Sequence, residues 1–157
     1  MILLKGDNII LRSVDSSDID TLLLWENSQN EPLYGVYEEQ YSREDIAQFV
    51  ENQQRYSIAE TEQLRLMICS YEGERLGCID LTEYDGKKAF VSILIVDLDN
   101  RRKGFAENAL QLLIGYAKTL GLQALYANIL PENLPSISLF TKVGFVGLDN
   151  NLFAYIL

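Results

Sequence analysis

Three basic residues and a glycine, Arg101-Arg102-Lys103-Gly104, occupy the turn between an apolar strand and the start of a long amphipathic helix. A helix start leaves N–H groups without partners and a partial positive charge, so such a turn is suited to a diphosphate. Gly104 lets the backbone approach a ligand closely, and the small Ala106 does not block it. Other chemistries are removed by composition. The 157 residues contain no histidine, which excludes Ser-His-Asp and Cys-His nucleophile systems. With Cys69 and Cys78 as the only cysteines, zinc and iron–sulfur sites lack their usual ligands, and no metal is expected. The formal charge of −10 speaks against nucleic acid as a partner, since that binding relies on Lys and Arg neutralising phosphates.

Around this turn the elements read as follows. Ile9 to Arg12 is a short strand, and Asp15-Ser16-Ser17-Asp18 supplies cap residues for an amphipathic helix carrying Ile19, Leu22, Leu23 and Trp25. Ser42-Arg43-Glu44-Asp45 has the form of a capping box for a second helix ending before Gln63. From Leu64 the apolar period changes to near two. Leu64 to Tyr71, Arg75 to Glu83 and Lys88 to Val96 are then strands of an antiparallel meander, joined through Glu72-Gly73-Glu74 and Asp85-Gly86. Ala106, Ala109, Leu110, Leu113, Ile114, Ala117 and Leu120 mark the long helix, stopped by Gly121. Ala124 to Leu130 is a strand, Asn133 to Val143 a helix stopped by Gly144, and Leu152 to Leu157 a last strand. Strand, long helix, strand implies a right-handed crossover and a parallel pair. The expectation is one mixed α/β (α+β) domain over residues 1–157, with about six to seven strands and four helices. The cysteines are expected to be buried, reduced and unbridged, and no apolar run approaches a membrane span, which points to the cytoplasm and no membrane partner.

The spacing Arg101-x-x-Gly104-x-Ala106 at a strand-to-helix junction resembles the acetyl-CoA motif of the GNAT superfamily of N-acetyltransferases. Two further runs match in order. Asn133-x-x-Ser136-x-x-Leu139-Phe140-x-Lys142-x-Gly144-Phe145 is similar to the family's Asn-helix signature. Leu76 to Leu81 is similar to the third strand of the ribosomal-protein and spermidine acetyltransferase branch. The resemblance implies a GNAT-like acyl-CoA N-acyltransferase fold with acetyl-CoA as cosubstrate. Main-chain groups of Leu94, Ile95 and Val96 would pair with the pantetheine arm like an added strand. A splay from the Ala124 to Leu130 strand would admit it. N–H groups from Arg102 through Lys103, Gly104 and Phe105 to Ala106 would hold the pyrophosphate, Arg101 adding charge, with Asn133 and Ser136 on the far side.

The reaction so implied is direct attack of a primary amine on the thioester, with the thiolate as leaving group. Phe140 stands where the family usually has a tyrosine acid, so Ser136, Tyr126 or Tyr155 is expected to supply a hydroxyl, or the thiolate leaves unassisted. Without histidine the base is a carboxylate: Glu83, Asp85 or Asp80 by the third strand, or Glu38 or Glu39 in the loop after the first helix. The segment from Glu31 to Tyr41, with Tyr34 and Tyr37, reads as an acceptor lid. Phe140 also motivates an alternative, a non-catalytic acyl-CoA-binding sensor on the same fold. Charge divides unevenly: residues 1–60 carry 4 basic and 12 acidic side chains, net −8, whereas residues 101–157 carry 5 and 3, net +2. An anionic cofactor and a cationic acceptor, either a polyamine-like amine or a protein N-terminus, are therefore expected. The apolar last strand, with Leu152, Phe153, Tyr155 and Ile156, suggests a homodimer.

Overall fold

The computed structural model describes residues 1–29, 40–96 and 104–157. Its strands are β1 (Leu3–Lys5), β2 (Ile10–Ser13), β3 (Leu64–Cys69), β4 (Arg75–Thr82), β5 (Lys88–Ile95), β6 (Ala124–Asn128), β7 (Val146–Gly147) and β8 (Leu152–Ile156). They form one sheet in the order β1-β2-β3-β4-β5-β6-β8-β7. The helices are α1 (Ile19–Gln29), α2 (Arg43–Arg55), α3 (Ile58–Thr61), α4 (Phe105–Thr119) and α5 (Leu134–Val143), with a 3-10 turn at Ser16–Asp18.

The expected meander is present: β3, β4 and β5 pair antiparallel, and β5 pairs parallel with β6 across α4. Among the described residues there are eight strands and five α-helices, against the expected six to seven and four. The additions are the shortest elements. β1 and β7 have three and two residues, too few to show a period, and α3 is a single turn set off from α2 by the extended Tyr56. Ser42 caps α2 as expected, its hydroxyl accepting from the Asp45 N–H and the Asp45 carboxylate from the Ser42 N–H.

Period-two alternation divides the core between the two faces of the sheet. On one face α4 and α5 cover Leu66, Ile68, Ile79, Leu81, Val91 and Ile95 through Leu110, Leu113, Phe140 and their neighbours. On the other, Leu22, Trp25, Ile46 and Val50 of α1 and α2 cover Met67, Cys69 and Cys78. Each fully buried Leu or Ile contributes about 1.5–3 kcal/mol. Both cysteines are buried and free, and burial pushes the Cys78 thiol up to about 12.

A buried ion-pair cluster locks the beginning of β4. Asp18, fully buried, accepts both guanidinium nitrogens of Arg12 at 2.8 Å, the Arg75 Nε at 2.7 Å and the Asp15 N–H at 2.9 Å. Burial alone would raise its pKa, but the bonds from Arg12, Arg75 and the Asp15 N–H hold it down at about 2. A carboxyl depressed in the folded state stabilises fully above the unfolded pKa near 4, and this contribution is lost as the pH falls toward 2. Urea midpoints should therefore fall between pH 5 and pH 2.5 by an amount on the order of 2 kcal/mol, and Asp18→Asn should remove that part of the slope. An unchanged acid slope in the variant would show that Asp18 is not its source.

Candidate functional site

Strand β5 follows β6 only briefly. Their register runs Lys88↔Ala124, Ala89↔Leu125 and Phe90↔Tyr126, and no pairing follows, although β5 continues to Ile95. Along β4 it stays paired as far as Gly77↔Ile95. The two parallel strands thus part after Phe90, and a cleft of about 1130 Å³ opens beside the end of β5. Ile93, Leu94 and Ile95 form one wall, Gly104 to Glu107 the α4 end, and Asn133 to Ser136 with Leu139 and Lys142 the α5 wall. The Lys142 Nζ meets the Glu107 carboxylate at 3.1 Å, joining the two helices beside the opening.

Gly77 lets β5 come close to β4 at Leu94. A Cβ there would lie 1.8 Å from the Leu94 carbonyl oxygen, so that oxygen occupies space which any other residue would fill. A glycine within a strand often marks such a close backbone approach, and this signal was readable in the sequence. The Val96 N–H donates to the Leu76 carbonyl at 3.0 Å. By the alternation of an antiparallel ladder, Leu94 and Val96 turn their main-chain groups toward β4, and Ile93 and Ile95 turn theirs toward the cleft. Of the three residues expected to pair with an extended ligand, Ile95 turns its main-chain groups to the cleft side, as Ile93 does, while Leu94 lines the cleft with its main-chain groups turned to β4.

Gly104 caps α4 in the left-handed region, φ 79°, and offers no side chain to the first turn. The N–H groups of Phe105, Ala106 and Glu107 are then the donors that a helix start leaves open, and they lie at the cleft. Arg101, Arg102 and Lys103 fall outside the described residues, as do Tyr34, Tyr37, Glu38 and Glu39. Asn133 caps α5, its Oδ1 accepting from the Ser136 N–H at 3.3 Å, so both residues stand at the mouth of the cleft.

The remaining hydroxyl and carboxylate candidates are spread out. Tyr126 is at the last paired position, where the strands part, its ring 5.7 Å from Phe90 and 5.9 Å from the Lys88 Nζ. Tyr155 packs on Phe145, with ring centroids 5.5 Å apart, and under Gly144. Phe140 is buried edge-on against Phe145. Glu83 and Asp85 follow the end of β4, where Thr82 pairs with Phe90 and Phe90 with Tyr126, so they lie at the end of the sheet where the strands part. The Asp85 carboxylate accepts the Lys87 and Lys88 N–H groups, which lower its pKa. Asp80 is buried and bidentate on Arg65, Nε to Oδ1 2.9 Å and Nη2 to Oδ2 2.8 Å. Burial nevertheless pushes its carboxyl above the usual range. Arg65 also reaches Glu26 of α1 at 2.7 Å. Sequence reasoning missed both, because 39 residues separate this pair. Among the described residues no cluster of three or more His, Cys, Asp or Glu could hold a metal, and no helix is long and apolar enough to cross a membrane.

The site thus combines a mixed sheet, a parallel pair that parts and a helix N-terminus at the open end. Residues 8–146 match the acetyltransferase (GNAT) domain, and the chain belongs to that family. In fold it is similar to the ribosomal L7/L12 α-N-protein acetyltransferase RimL in complex with coenzyme A, at TM-score 0.77 and 16% identity over 99% of this chain and 98% of that one. It is also similar to the spermidine N-acetyltransferase of Vibrio cholerae in complex with CoA and spermine, at TM-score 0.74 and 20% identity over 90% and 82% of the chains. Among curated sequences an uncharacterized protein of Methanocaldococcus jannaschii is 24% identical over 154 residues. The match covers 90% of this chain and 28% of that protein's length.

Gly77→Ala is expected to force β5 off its present path and to weaken coenzyme A binding at least tenfold by titration calorimetry, about 1.4 kcal/mol or more. Gly115→Ala, in α4 with nothing within 4 Å of the new methyl, is the control and should bind normally. Equal affinity in the two variants would separate the close approach at Gly77 from ligand binding.

Proposed function

We propose that the protein transfers an acetyl group from acetyl-CoA to a primary amine by direct attack on the thioester. The observation that carries this reading is the parting of β5 from β6 after Phe90↔Tyr126, with the α4 N-terminus at the open end. A pantetheine arm is an extended chain with two amides, and it fits beside β5 as an added strand with Ile93 offering main-chain groups. Its diphosphate then reaches the first-turn N–H groups of α4, where the partial helix charge favours an anion.

Donor and acceptor enter from opposite faces. Ile93 and Ile95 belong to the α4 and α5 face, whereas Phe90, Ser92 and Asp80 share the α1 and α2 face by pairing and alternation. Tyr126, ring to ring with Phe90, points to that second face at the narrow end of the gap. An uncharged amine arriving there attacks the thioester carbon. The new C–N bond forms as the C–S bond breaks, the ammonium gives its proton to water or a carboxylate, and the thiolate leaves. A thiol of pKa about 8.5 leaves readily, and Tyr126 is the hydroxyl best placed to protonate it. The acceptor is a small cationic amine or a protein N-terminus, in keeping with the net charge of −8 over residues 1–60. Its Michaelis constant should rise with ionic strength, and a constant value would remove the electrostatic argument.

Purified protein should release CoA thiol from acetyl-CoA when offered polyamines or N-terminal peptides. Silence across such a panel despite tight acetyl-CoA binding would favour the second reading, a non-catalytic acyl-CoA sensor, which Phe140 at the usual tyrosine position supports. Tyr126→Phe should lower kcat about tenfold or more while the Michaelis constant for acetyl-CoA changes little. An unchanged kcat would mean that the thiolate leaves unassisted.

A further inference from the structure

A second cavity, of about 750 Å³, lies on the α1 and α2 face, with Glu26, Tyr41, Asp45, Phe49 and Arg65 in its wall. The charged groups here are arranged unequally. Arg65 is fixed from every side: Asp80 holds its Nε and Nη2, Gln53 Oε1 accepts its backbone N–H at 2.8 Å, and its guanidinium lies 5.0 Å from the Phe49 ring centre. The remaining nitrogen, Nη1, donates to the Glu26 Oε1 at 2.7 Å. Asp45 accepts the Ser42 N–H through Oδ2 at the exposed start of α2, away from Arg65, and Asp80 uses both oxygens on Arg65. Glu26 is bonded through Oε1 alone among the described residues, and its side chain keeps 29% of its surface exposed. One carboxylate is thus held in a fixed direction on a cavity wall with an oxygen left over.

The sheet relates this carboxylate to the proposed reaction. Arg65 pairs with Asp80, and Asp80 with Ser92, so a row runs across β3, β4 and β5 on the acceptor face. Two strand spacings, about 10 Å, separate the Arg65 end of the row from β5. That is too far for Glu26 to touch an amine attacking a thioester beside β5, and such an amine is uncharged when it attacks. It is a distance that several methylenes span. We propose that Glu26 is an acceptor-binding residue selecting amines that carry a second positive charge, with Arg65 and Asp80 as positioning residues that fix its carboxylate. This assignment rests on the acetyl transfer proposed above. The buried Arg65 neutralises one of the two carboxylates it touches, so the row keeps a net negative charge to offer a cation.

The experiment compares 1,4-diaminobutane with n-butylamine, in calorimetric binding to the protein and in acetyl-CoA turnover. The wild type should bind the diamine more tightly, and Glu26→Gln should weaken diamine binding and raise its Michaelis constant about tenfold, the loss of one charge-assisted contact. Turnover of n-butylamine and the Michaelis constant for acetyl-CoA should change less than about twofold. Asp80→Asn should reproduce part of the loss of diamine binding in calorimetry while the Michaelis constant for acetyl-CoA stays unchanged, a split that general destabilisation would not give. Unchanged diamine binding in Glu26→Gln, or an equal loss for both amines, overturns the assignment. Turnover of amines with no preference for the diamine also overturns it and leaves the acetyl transfer standing. Diamine binding that depends on Glu26 with no thiol release supports the assignment and removes the acetyl transfer.

Discussion

Strand β5 cannot serve β4 and β6 along its whole length, and the site depends on how that conflict is resolved. It keeps β4 to its end and abandons β6 after three residues. The cost is a stretch of β5 past Phe90 with no ladder to β6, an edge that a sheet normally covers. An extended ligand with amide groups offers such a strand what β6 withdraws. In the proposed function the α4 N-terminus, capped by Gly104, supplies the anion contact at the other end of the same cleft.

The parting is built in rather than incidental. Gly77 leaves the space that the Leu94 carbonyl takes, and just two residues earlier Arg75 is anchored to the buried Asp18. The beginning of β4 is therefore fixed to β2 and to the turn before α1, and β5 leans on it at the one position without a side chain. Removing a partner from a buried ion pair costs more than the pair contributes, so this anchor is easily damaged and hard to replace. The two faces of the sheet then have separate work. In the proposed transfer the face under α4 and α5 takes the carrier, and the face under α1 and α2, which holds Tyr126, Ser92, Asp80, Arg65 and Glu26, takes the amine.

The sequence made visible what is local. The turn before α4, the Asn133 cap and the Gly144 stop each lie within one short segment, and their residue types state their conformations. The meander and the parallel crossover followed from period and order, and the structure has both. β1, β7 and α3 were not legible because two to four residues carry no period. Asp80 was legible only as a carboxylate near the right strand. Its engagement by Arg65, and Arg65's by Glu26, joins β4 to β3 and β3 to α1, and no local pattern announces contacts between elements so far apart. The direction of main-chain groups in β5 was also hidden, since it depends on which carbonyl the Val96 N–H meets.

The account turns on what occupies the gap between β5 and β6, and a crystal structure with acetyl-CoA reads this directly. It should show a pantetheine amide within about 3.2 Å of a main-chain group of Ile93. The diphosphate should lie against the Phe105 to Glu107 N–H groups and the thioester near Tyr126. An arm lying outside the gap, with β5 and β6 closed together past Phe90, would contradict it.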